Sequence, residues 1–82
     1  MPYIKSEDRD RLAEGEMPEN KGEINYMCYT LGKAYIDTHG ANYQNISDAI
    51  DGIRGAAEEL KRRILDPYED QAIIRNGDIN AK

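Results

Sequence analysis

Between Ile46 and Ile64 the apolar residues Ile46, Ile50, Ile53, Ala57, Leu60 and Ile64 recur at steps of four, three, four, three and four. That spacing lays one apolar stripe along an α-helix, and a stripe of this length has to be covered by a partner. A second long helix precedes it. Asn20-Lys21-Gly22-Glu23 matches a capping box with Asn20 as N-cap and Glu23 at the third helical position. Ile24, Met27, Cys28, Leu31, Ala34 and Tyr35 then form an apolar face broader than a single seam. Gly40 ends this helix near Thr38 or His39, and Asn45 or Ser47 caps the next. Two long helices joined by so short a loop are antiparallel neighbours as a rule. The fold class expected is therefore all-α: an antiparallel helical hairpin (about 20–39 and 45–65), with a short helix at each end.

Ser6 is the expected cap of the N-terminal helix, which runs to about Leu12, with Glu7 and Asp8 near its positive end. Met1 to Ile4 reads as an extended arm, because Pro2 disfavours helical geometry at Met1. Glu14 to Asn20 contains Gly15 and Pro18 and no periodicity, and is expected as a linker. Asp66-Pro67-Tyr68-Glu69 looks like a fresh helix start, with Asp66 as N-cap and Pro67 at the first helical position. The last helix then turns Tyr68, Ala72 and Ile73 or Ile74 inward and stops at Asn76-Gly77, leaving a loose tail from Asp78 to Lys82. One small domain is expected over 1–82: arm, helix and linker in 1–19, hairpin in 20–66, C-terminal helix and tail in 67–82.

An 82-residue chain buries only about 60% of the surface it exposes when unfolded, so its core is thin and oligomerisation would relieve it. The aromatic residues are six Tyr, with no Trp or Phe, which suits half-wet interfaces better than a deep interior. Gly52, Gly55, Ala56 and Ala57 weaken the middle of the second long helix and fit close helix approach, within the hairpin or between copies. A homo-oligomer is the expected assembly. The net charge of −5 disfavours general nucleic-acid binding, whose affinity comes from neutralising phosphates. The single Cys28 cannot form an intramolecular disulfide, no Cys or His cluster has metal-ligand spacing, and no apolar run has signal-peptide or membrane-span length. These features fit a soluble protein of the cytoplasm, with no cofactor and no metal.

Catalytic templates fail: there is no GxSxG, Walker loop, HExxH or Cys-His pair with a third member. Glu16 and Glu19 have the ExxE spacing of all-α nucleotide pyrophosphatases, but Pro18 interrupts the helix such a site needs. No catalytic residue is assigned, and the expectation is a protein that is not an enzyme. His39 fits a solvated residue at a helix end as well as a switch.

The strongest constellation is Lys61-Arg62-Arg63 beside Asp66-Pro67-Tyr68-Glu69-Asp70. Arg62 and Arg63 suit a phosphate, Tyr68 can stack on a base, and the free N–H groups of a helix starting at Pro67 add donors. Arg9, Arg11 or Arg75 would close such a site from another element or subunit. Alternatively, Arg62 and Arg63 pair with Glu58, Glu59, Asp66 or Glu69 on a solvated face.

The opening MPYIKSEDRDRL, the GEINY at Gly22 to Tyr26, and ELKRRILDPYEDQAIIRNGDI with its RRxxxPYED and NGD motifs resemble a family of small uncharacterised proteins of phages and prophages. Lys61 departs from the aromatic residue that this family places before the two arginines. The resemblance implies a phage context and the cytoplasm of the host cell. In outline the chain is also similar to the phage helical-hairpin sponge proteins that assemble around cyclic nucleotides. The function this implies is capture of an anionic, nucleotide-like immune signal of the host. The alternatives are an acidic module that inhibits a host protein by mimicking DNA charge, and a phage structural or assembly component.

Overall fold

Four α-helices and one π turn follow one another without a strand among the residues described, 4–77, in this computed structural model. The all-α class is as the sequence predicts. All of the expected arm but Ile4, and the tail at Asp78 to Lys82, lie outside the described residues. The chain falls into two compact units, Met1–Ile50 and Asp51–Lys82.

In the first unit, α1 spans Ser6–Ala13. Ser6 is its first helical residue rather than its cap. The extended cap residue is Lys5, whose carbonyl accepts from the N–H groups of Asp8 and Arg9 at 3.0 Å. With no side-chain cap there, Glu7 and Asp8 in the first turn are what favours the positive helix end. Leu12, 5% exposed, is the one large apolar side chain buried among the described residues.

Helix α2, Lys21–His39, begins where the capping box places it: Asn20 Oδ1 accepts from Glu23 N–H at 2.9 Å. The box is displaced by one residue on its return arm, because the Glu23 carboxylate takes the N–H of Glu19 at 3.0 Å. At the far end Gly40 adopts φ 114°, a conformation that strains any residue with a side chain, and its N–H reaches Ile36 O at 2.8 Å. Helix α3, Tyr43–Leu60, starts two residues earlier than expected, and its cap is neither Asn45 nor Ser47. Asn42 Oδ1 accepts from Asn45 N–H at 2.9 Å, while the Asn45 amide donates backwards to His39 O and Gly40 O at 3.1 and 3.0 Å. Asn45 thus closes the end of α2 while belonging to α3.

In the second unit the rest of α3 passes into a π turn, Lys61–Leu65, and then into α4, Asp66–Asn76. The expected break at Pro67 is absent. Leu65 and Asp66 both have helical dihedrals, and Asp66 caps nothing: its N–H bonds to Lys61 O five residues back, and its carboxylate pairs with Lys61 Nζ at 3.2 Å. A proline inside a helix lacks one donor and crowds the carbonyl four residues before it. Widening the preceding turn by one residue relieves both without ending the helix. Gly77, φ 86°, stops α4 with its N–H on Ile73 O, at the position the sequence predicts.

The apolar stripe is left open. Ile46 and Ile50 in the first unit, and Leu60 and Ile64 in the second, are all exposed.

Candidate functional site

The π turn sets out Lys61, Arg62 and Arg63 in succession, and each finds a carboxylate on its own helix. Arg62 Nη2 donates to both Glu59 oxygens at 2.8 Å, and Arg63 Nε donates to Glu59 Oε2 at 2.6 Å. Of the carboxylates expected as partners, Glu59 takes both arginines, from three and four residues away. The bonds from Arg63 and then Arg62 hold the Glu59 carboxyl below its ordinary range. Both arginine side chains nevertheless stay open to solvent, 67% and 71% exposed.

Beside this row lies a shallow depression lined by Ala57, Leu60, Lys61, Ile64, Leu65 and Tyr68, and its walls are almost wholly apolar. The structure therefore groups Tyr68 with Lys61; Arg62 and Arg63 do not line that surface. The basic residue near the Tyr68 ring is Arg75, its guanidinium carbon 5.8 Å from the ring centroid, within cation–π range. Because α4 continues out of the π turn, the free backbone donors expected at a helix start by Pro67 are not there. The constellation read from the sequence thus separates into an arginine pair on one carboxylate and an apolar surface carrying Lys61 and Tyr68.

Arg9 and Arg11 belong to the first unit. Arg9 is exposed on α1, and Arg11 is engaged at once by several groups. Its Nη2 donates to Glu23, which is only 5% exposed, its Nη1 reaches Met17 O at 3.3 Å, and Glu19 and Asp8 lie at 3.7 and 3.8 Å. The bond to Glu23 raises the Arg11 pKa, and the Glu23 carboxyl is lowered by Arg11 first and the Glu19 N–H second. Arg11 and Glu23 join α1 to the start of α2, twelve residues apart in sequence. Neither periodicity nor a motif announces this pair; the only local signal is Glu23 in the capping box.

The other candidates have ordinary settings. Glu16 and Glu19 lie in the non-helical segment before α2, so they share no helix face. The His39 and Tyr35 rings lie 4.6 Å apart at a tilt of 48°, and Cys28 is half-buried. Among the described residues no group of His, Cys, Asp or Glu is placed to hold a metal ion, and no helix is long and apolar enough to cross a membrane.

Fold and surface together define a small all-α protein whose C-terminal helical segment carries an open apolar face beside a basic row. The family model "Domain of unknown function (DUF6899)" matches residues 1–79, and the chain belongs to that family. No curated protein and no solved structure matches it.

Proposed function

We propose that this chain is a non-enzymatic binding protein of phage or prophage origin, which captures a small anionic, nucleotide-like ligand on its C-terminal segment and so sequesters an immune signal in the host cytoplasm. The observation that carries the reading is the exposed row Lys61, Arg62 and Arg63, set in a chain of net charge −5. Its anchors, Glu59 and Asp66, are surface carboxylates, and exposed pairs of this kind contribute little to stability. A phosphate of higher charge displaces Glu59 readily and takes up bidentate contacts with Arg62 and Arg63. Tyr68, with Arg75 near its ring, offers a flat surface to a base. Phage origin rests on the motifs MPYI, GEINY and RRxxxPYED with NGD. A homo-oligomer multiplies the basic rows in one particle and supplies the walls that a single shallow surface lacks.

Calorimetric titration with a panel of cyclic and linear signalling nucleotides tests this. At least one should bind, and Arg62→Ala with Arg63→Ala should weaken it at least tenfold. Equal binding by the variants would remove the site, and a parent protein that binds none of the panel would remove the reading.

The open apolar face and the acidic balance of the chain favour a second reading, a protein-interaction module that occludes a host protein. Its mark is a pull-down from host lysate that weakens steeply with salt and retains no small molecule.

A further inference from the structure

We infer that the face Ile53 to Ala72 is the interface of a parallel, in-register homodimer, and that the π turn exists to keep this seam on one side of the helix. The inference rests on the homo-oligomer reading and deepens it by naming the surface, the orientation and the stoichiometry.

Ile53, Ala57, Leu60 and Ile64 keep the alternating four-three step of a two-helix seam, and α3 and the π turn carry them on one continuous helical path. In an unbroken α-helix the steps beyond Ile64 fall on Pro67 and Gln71, and the seam would end. The π turn inserts one residue, which turns everything after it back by about 100° relative to a regular helix. Leu65 then repeats the seam position of Ile64, and Tyr68 and Ala72 follow it at steps of three and four. The depression lined by Ala57, Leu60, Lys61, Ile64, Leu65 and Tyr68 is this re-phased seam.

Area and charge both indicate a second copy. Leu60, Ile64, Leu65 and Tyr68 are 61%, 63%, 47% and 63% exposed. Together with their neighbours they offer roughly 500 Å² per chain, so a symmetric pair reaches the ~1,000 Å² at which specific interfaces begin. The residues flanking the seam are Arg54 and Lys61 on one side and Ala56 and Arg63 on the other. A parallel in-register pair sets Lys61 of one chain beside Ala56 of the other, where its stem covers the small residue. An antiparallel pair centred on the depression brings Lys61 opposite the Lys61 of the second copy, and Arg63 likewise opposite Arg63, which like charges disfavour.

Sedimentation equilibrium and native mass spectrometry of the full chain test this with Leu60→Lys, Ile64→Lys and, off the seam, Arg62→Ala. Both seam positions are exposed in the single chain, so their substitution opens no core. The parent should be a dimer. Each lysine variant should dissociate at least tenfold more readily while keeping its far-ultraviolet helical signal, and Arg62→Ala should dimerise as the parent does. Ile53→Cys, in a Cys28→Ser background, should oxidise to a covalent dimer, because like positions at the end of the seam meet only in a parallel pair. A monomeric parent overturns self-association altogether and leaves the face to a different partner. An oligomer indifferent to both lysine variants overturns the surface while self-association stands, one larger than a dimer overturns the stoichiometry, and a dimer that does not cross-link overturns the orientation.

Discussion

Glu23 makes three contacts, two of them through its carboxylate. Its N–H is capped by Asn20, its carboxylate receives the Glu19 N–H, and Arg11 closes on it from α1. Only the first of these is legible in the sequence, because N-cap and third helical residue are three apart whatever the tertiary fold. The Arg11 contact depends on how the non-helical segment from Glu14 to Asn20 returns the chain. Since the folded carboxyl lies below its ordinary value of 4.5, its contribution is complete above that value and is lost as pH falls through the depressed one. Arg11, its pKa raised further by the bond to Glu23, stays charged throughout that window. Glu59 titrates in the same direction, but as an exposed group it adds little. Urea midpoints followed from neutral pH into the acid range should therefore fall for the parent. Glu23→Gln should be less stable at neutral pH and show a flatter acid limb, with the two curves converging at low pH. A Glu23→Gln protein with the parent's full acid slope would mean that other carboxylates carry it.

The helices themselves were largely readable, and the errors fall at their joints. Three polar residues, Asn42, Asn45 and Ser47, stand within reach of the α3 start, and sequence alone does not say which one the turn at Gly40 presents. The structure uses Asn42 as the cap and sends the Asn45 side chain to the end of α2. At Pro67 the local signals of a helix start are all present, yet the chain keeps its helical path by widening the turn before the proline. Helix-start residues and a tolerated mid-helix proline look alike when the hydrogen-bond register is unknown. A proline inside a helix costs about 3 kcal/mol, and the π turn recovers part of that. Pro67→Ala should restore a regular α-helix and stabilise the monomer by about 1 kcal/mol, read from thermal unfolding of the dilute protein. It should also rotate Leu65, Tyr68 and Ala72 off the seam, so that dimerisation weakens as the monomer gains stability. Opposite movement of the two quantities separates a re-phasing role for the turn from a purely local accommodation of proline.

For the whole molecule, the distribution of apolar surface decides what kind of object the chain is. Leu12 is the one large apolar side chain buried among the described residues, while Leu31, Leu60, Ile64, Tyr68 and Ile74 all stand well exposed. The stripe from Ile46 to Ile64 announces a need for cover; it does not say whether the cover comes from the same chain. The candidate binding residues were legible as types, but their grouping was not. Arg62 and Arg63 turn to Glu59, and Tyr68 stays with the apolar face, a division set by the side-chain partners and the width of one helical turn. If the open face is an interface, part of the missing core lies in the partner, and folding is linked to association by mass action. The thermal midpoint of the parent should then rise with protein concentration. For Ile64→Lys it should be lower and independent of concentration, since a lysine in the seam removes the linkage without touching Leu12 or the Arg11–Glu23 pair. Differential scanning calorimetry over a hundredfold dilution series reads both. A parent midpoint that does not move with concentration would place its stability within the single chain, with Leu12 and the clasp of α1 on α2 sufficient to hold the first unit.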